Sequence, residues 1–133
     1  MNGKIMIFCL VLTCLLLVGI SPLPYAAELP TVVINATGGT IASLSDPKTG
    51  ALVAAKTGEE IVKGVPQINE FAKIQVIQFC NILGPQISPQ HWLGLSKLIN
   101  EILDDPKVAG VVVTHGTSTI EETAYFLDLT VKE

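Results

Sequence analysis

Arginine is absent from all 133 residues, so the planar, bidentate grip of a guanidinium on phosphate is missing and phosphorylated substrates are disfavoured. Histidine is scarce. His91 and His115 are the only two, and neither has the close spacing to cysteine or carboxylate that a zinc site needs, so no metal is expected. Cys9 and Cys14 fall in the opening apolar run, which leaves Cys80 alone in the remainder and excludes an internal disulfide there. With no obvious base beside it, Cys80 reads as a small packing residue rather than a nucleophile. Internal repeats and low-complexity tracts are also missing, so a single small core is the expectation.

What is abundant is apolar residue, 49% of the chain, with the excess concentrated before residue 28. Lys4 is followed by an uncharged run of 16 residues, Ile5 to Ile20, and then by SPLPYAA. Charge, apolar run and helix-breaking prolines in that order predict a secretory signal peptide over residues 1–27, cleaved after Ala26 or Ala27. A retained anchor is the weaker reading, because a span takes about 18 or more apolar residues. The expected product is periplasmic or secreted, with no stable membrane span after processing. Without residues 1–27, seven lysines face twelve carboxylates, a formal charge of −5 that disfavours nucleic acid and leaves small neutral or zwitterionic ligands.

Beyond residue 28 the pattern alternates strand and helix. TVVINAT at Thr31 to Thr37 reads as a buried strand ending at Gly38-Gly39. The segment to Lys56, with Asp46, Pro47 and Gly50, reads as a long connection that holds a short hairpin. Thr57 and Glu60 make a capping box for a short helix to Lys63. KIQVIQFCN at Lys73 to Asn81 is a second strand, closed by a turn at Gly84-Pro85. Ser88-Pro89 starts a helix whose apolar face is Trp92, Leu95, Leu98, Ile99, Ile102 and Leu103. Val108 to Thr114 is a third strand whose valine run suggests burial on both faces. A last helix is expected from Thr119 to about Val131, with Ser118 and Glu121 as its capping box. This order predicts an α/β fold, a Rossmann-like or flavodoxin-like parallel sheet with flanking helices.

In such sheets ligands gather beyond the carboxyl ends of the strands. Three loops qualify: TGGTIA at Thr37 to Ala42, NILGPQ at Asn81 to Gln86, and THGTSTIEET at Thr114 to Thr123. Two of them place a threonine directly after glycine, Thr40 after Gly39 and Thr117 after Gly116. A hydroxyl so placed is unhindered, and neighbouring backbone amides can stabilise an oxyanion when a carbonyl is attacked. The bland alternative stands beside this one: Gly-Gly-Thr can be a tight turn, and Ser118 can merely cap a helix. His115 is open to the same two readings, a base or a structural residue.

ATGGTIA, followed by VVVTHGTSTIEETAYFLDLTV, resembles the two signatures of the L-asparaginase/glutaminase family, and the resemblance extends over GVPQ at Gly64 to Gln67 and the Trp92 helix. It implies that residues 28–133 are part of the family's N-terminal domain, a fragment or a shortened reading frame. It further implies hydrolysis of a small amino-acid amide to the acid and ammonia, without a cofactor. By motif, Thr40 corresponds to the threonine that attacks the amide carbon. Thr117 corresponds to the second threonine, which works with a lysine and an acid on proton transfer. The same resemblance puts Gly39, Gly84, Pro85, Gln86, Gly116 and Ser118 around the substrate, and implies a homo-oligomer, a tetramer, for the full-length protein.

The departures from the family pattern are specific. Ser118 stands where the family has an aspartate for the substrate's α-amino group, and losing that charge-assisted contact costs about 1.5–3 kcal/mol when it is buried. Gly84-Pro85 stand where the family has Ser or Asp followed by Gln, with Gln86 as a possible substitute. No lysine here fits the family's partner-lysine motif, so this chain is expected to be inactive alone. Two other readings remain: a noncatalytic small-molecule-binding remnant, or an amidohydrolase with altered substrate.

Overall fold

A computed structural model describes residues 28–132. The signal peptide expected at 1–27, with Cys9 and Cys14, lies outside the described residues. The β-branched stretch from Thr31 forms β1 (Thr31–Gly38), with every residue from Val33 onward buried. After it come a short antiparallel hairpin, β2 (Ser43–Ser45) and β3 (Leu52–Ala54), and the helix α1 (Gly58–Lys63). Then follow β4 (Lys73–Ile82), the helix α2 (Pro89–Leu103), β5 (Val108–Thr114) and the helix α3 (Ile120–Thr130). Two short 3-10 turns, Pro66–Glu70 and Gly84–Gln86, flank β4.

The main sheet is wholly parallel with order β4-β1-β5, as the alternation of strands and helices requires. The first strand lies in the middle: the chain adds β4 on one side, then crosses back to add β5 on the other. That reversal makes a topological switch point between β1 and β5. The crevice for a ligand in such a sheet opens at this point, outside the carboxyl ends.

Helices cover both faces. On one side α1 begins against the sheet, where Gly58 N–H donates to Gln78 Oε1 over 2.7 Å. Thr57 supplies its cap as the sequence predicts: Glu60 N–H donates to Thr57 Oγ1 over 3.2 Å and Thr57 N–H to Glu60 Oε2 over 2.7 Å. On the other side Leu95 and Ile99 of α2 are buried, and Ile99 and Leu103 share a cavity wall with Val111 and Val113 of β5 and Leu127 of α3. Trp92 stacks on Phe126 at 5.8 Å between ring centroids, joining the two helices. Each fully buried aliphatic side chain in this core contributes about 1.5–3 kcal/mol.

Two expectations are corrected. The valine run of β5 is not buried on both faces: β5 is the edge strand of the described sheet and Val112 is 50% exposed, because α1 packs over β1 and β4. The capping box of Ser118 and Glu121 does not form either. Thr119 is the N-cap of α3 and makes no side-chain cap bond; its hydroxyl donates instead to Gly84 O over 2.9 Å.

Candidate active site

The three loops singled out by sequence lie together, because all three strands are parallel and end at the same edge. Thr40 opens a 3-10 turn directly after β1, and Thr117 follows β5 by three residues. Their hydroxyl oxygens are 3.3 Å apart, and Thr117 N–H donates to Thr40 Oγ1 over 3.4 Å. Both threonines are exposed to solvent, so a ligand in the crevice can reach either one.

Glycine makes this approach possible. Gly39 has φ +73°, and a Cβ placed on it would stand 2.2 Å from Gly116 N, so conformation and space both exclude a side chain there. Gly116 in turn faces Gly84, where a Cβ would lie 2.9 Å from Gly84 Cα. Three loops therefore meet backbone to backbone. A Cβ on Gly84 would fall 2.3 Å from Ser118 Oγ, so the serine hydroxyl occupies the volume that a side chain at position 84 would take.

The remaining candidates are placed as follows. Gln86 commits its carboxamide oxygen to its own turn, where Leu83 N–H donates to it over 2.8 Å; both Gln86 and Pro85 are exposed. His115 is buried with both ring nitrogens engaged, Nε2 with Thr123 Oγ1 at 3.0 Å and Nδ1 with Gly116 O at 2.9 Å. Neither is free to take a proton from Thr40 or Thr117, which favours the structural reading of His115. Cys80 donates its Sγ–H to Thr37 O over 3.2 Å, and burial pushes its thiol up from the ordinary value, away from thiolate.

Apart from buried His115, the residues of these loops at 37–42, 81–86 and 114–119 carry no ionisable side chain. Among the described residues, no group of three or more His, Cys, Asp or Glu is arranged to hold a metal ion, and no helix is long and apolar enough to cross a membrane. The site therefore presents hydroxyls and backbone amides at the mouth of a parallel sheet. Such a set is suited to attack on a carbonyl.

Sequence reasoning missed two buried groups. Thr123, 2% exposed, joins Trp92 to His115; its position one turn into α3 carried no motif. Asn35 is fully buried in β1, and its only sequence signal is a lone amide in an otherwise apolar, β-branched run.

Comparison with known proteins shows the family and the fold. The family model described as Asparaginase, N-terminal, matches residues 31–133. The chain belongs to the asparaginase family. It is 47% identical over 109 residues to L-asparaginase 2 of Escherichia coli (strain K12), covering 80% of this chain and 31% of that asparaginase. It is 44% identical over 103 residues to the glutaminase-asparaginase of Acinetobacter glutaminasificans, covering 75% of this chain and 31% of the relative. The crystal structure of a probable cytoplasmic L-asparaginase from Campylobacter jejuni superposes with a TM-score of 0.70 at 41% identity, covering 77% of this chain and 32% of that one. The chain thus spans about a third of the length of these asparaginases. Its mixed α/β fold, a parallel three-stranded sheet with flanking helices, is shared with the Campylobacter jejuni asparaginase.

Proposed function

We propose that the full-length protein hydrolyses the side-chain amide of L-asparagine, or of L-glutamine, through a threonine ester. The observation that carries this reading is the pairing of Thr40 and Thr117, with hydroxyls 3.3 Å apart at the switch point of the sheet. Relatives named as L-asparaginase and glutaminase-asparaginase support the substrate class. In the proposed sequence Thr40 Oγ attacks the amide carbon and its proton passes to the departing nitrogen. The C–N bond breaks, ammonia leaves, and the acyl group remains as an ester on Thr40. Water then cleaves the ester, releasing the carboxylic acid and restoring the hydroxyl. Thr117 N–H, directed at Thr40 Oγ1, stabilises that oxygen as its proton departs. Among the described residues no lysine or carboxylate is hydrogen-bonded to either hydroxyl, and the proposal assigns the base to none of them. Assembly as a homo-oligomer and export to the periplasm or medium belong to the same proposal.

A narrower reading of the substrate is favoured by Ser118. Its hydroxyl is neutral, and the loop residues at 37–42, 81–86 and 114–119 offer no carboxylate to an α-ammonium group. On that reading the protein turns over free L-asparagine weakly and tolerates N-blocked amides.

The test is ammonia release from asparagine, glutamine and N-acetylasparagine by the full-length protein and its Thr40→Ala variant, with mass spectrometry of the quenched enzyme. Wild-type turnover that is lost in Thr40→Ala, together with an acyl adduct on the Thr40 peptide, is the expected result. Undiminished ammonia release by Thr40→Ala would overturn the mechanism. Efficient asparagine turnover with rejection of the blocked amide would overturn the narrower reading.

A further inference from the structure

We propose that His115 is a positioning residue: a directed hydrogen-bond chain from Trp92 through Thr123 and His115 orients the Gly116–Thr117 peptide so that Thr117 N–H meets Thr40 Oγ1. The proposal deepens the reading above and rests on Thr40 being the attacking group. Trp92 Nε1–H donates to Thr123 Oγ1 over 2.8 Å. Thr123 Oγ1 is 3.0 Å from His115 Nε2, and His115 Nδ1 is 2.9 Å from Gly116 O.

The ends of the chain dictate its direction. Indole nitrogen can only donate, and a peptide carbonyl can only accept. His115 must therefore carry its proton on Nδ1 to meet Gly116 O, which leaves Nε2 of the neutral ring as an acceptor. Thr123 must then donate to Nε2 while accepting from Trp92, which is the one arrangement that satisfies every member with a neutral imidazole. Thr123 is 2% and His115 8% exposed, so water does not compete freely for these bonds, and a buried network whose members are all paired is stiff.

The last link gives this stiffness a purpose. Gly116 O and Thr117 N–H belong to one planar trans peptide and point in opposite directions. Holding the carbonyl toward His115 turns the N–H toward Thr40, whose Oγ1 lies 3.4 Å from it. Bonds of this kind are often long before substrate binds and shorten in the reacting complex. The chain thus reaches from α2, through α3, to the oxygen proposed to attack, although neither Trp92 nor Thr123 touches it.

The experiment uses the full-length protein with Thr123→Val, Thr123→Ser, His115→Asn and His115→Leu. Thr123→Val removes the hydroxyl at nearly constant shape. It is expected to lower kcat about tenfold, less than the hundredfold or more seen when a direct oxyanion donor is removed. KM should stay within about twofold, since no contact with bound substrate changes. Thr123→Ser should restore most of the rate. His115→Asn, which keeps an N–H near the place of Nδ1, should retain more rate than His115→Leu. Nitrogen-15 NMR of the histidines, with His115 assigned by its loss in His115→Asn, should show the Nδ1–H tautomer, and the Thr117 amide resonance should move in Thr123→Val.

Wild-type kcat in Thr123→Val, or an Nε2–H tautomer, would overturn the proposal. If the wild-type protein releases no ammonia from any amide, the proposed function fails, and the tautomer and the Thr117 resonance still decide the hydrogen-bond chain. If Thr123→Val does not fold, Thr123→Ser and the tautomer carry the decision.

Discussion

Asn35 offers a sharp test of the packing described above. It lies at the middle of the central strand, is 0% exposed, and neither its Oδ1 nor its Nδ2 finds a hydrogen-bond partner among the described residues. Its cross-strand neighbours are Ile77 and Val113, both apolar. Val113 faces α2 and α3, so Asn35 points into the same apolar layer. A buried polar group without a partner costs about 1–3 kcal/mol, and here there are two. Replacing both by apolar atoms removes that cost, while leucine, which branches at the same carbon but is bulkier, takes back about 1 kcal/mol in repacking. Asn35→Leu is therefore expected to stabilise the protein by about 2 kcal/mol. In urea, with a slope of about 2 kcal/mol/M, the unfolding midpoint should rise by roughly 1 M. Asn35→Asp should lower it sharply, because a buried, unpaired carboxylate is worse than an amide. Far-ultraviolet circular dichroism across a urea series reads both variants. An unchanged or lower midpoint in Asn35→Leu would refute the reasoning, since it would mean that the amide is satisfied in solution.

Other expectations concern the site and the hairpin beside it. In the full-length protein Gly39→Ala should abolish the proposed ammonia release, because its methyl would meet the Gly116 backbone at 2.2 Å and the conformation at φ +73° disfavours alanine; near-normal turnover by the purified full-length variant would contradict the interlocked loops. Gly84→Ala should be rescued in part by Ser118→Gly, since the methyl and the Ser118 hydroxyl compete for one volume; a double mutant cycle in kcat/KM that shows no coupling would count against it. Asp46 closes the hairpin turn by accepting from Lys48 N–H and Thr49 N–H, and the Thr49 and then the Lys48 amide hold its carboxyl below the usual 3.8. A depressed folded pKa means that this stabilisation is fully present above the unfolded value and is lost as pH falls through the folded one. Faster exchange of the Lys48 and Thr49 amides should therefore set in only below about pH 4, after correction for the intrinsic rate; protection that stays constant to pH 2 would refute it.

The parts of this architecture legible in sequence are those decided locally. Thr57 and Glu60 cap α1 because both partners sit within four residues, and the apolar spacing from Trp92 to Leu103 suffices to define the inner face of α2. Parallel pairing followed from the alternation of elements, and with it the gathering of Gly39-Thr40, Gly84 and Gly116-Thr117 at one edge. What sequence spacing missed depends on partners far along the chain. Ser118 and Glu121 carry a local capping pattern, yet Thr119 is drawn to Gly84, 35 residues earlier. The valines of β5 suit burial on both faces, but whether a face is covered depends on what packs there, and α1 sits over the other two strands. The chain through Trp92, Thr123 and His115 spans 31 residues in its first step and left no mark in spacing.

The meeting of Gly39, Gly84 and Gly116 has a mechanical consequence. Where side chains separate two loops, a push on one is absorbed by rotamer changes before it reaches the other. Here main chain rests on main chain with nothing compressible between, so a displacement at any of the three is handed on nearly undiminished. Pressure from a bound molecule near residue 84 would thus be felt as movement of the Thr40 hydroxyl, and a poorly fitting guest would misalign that hydroxyl without touching it.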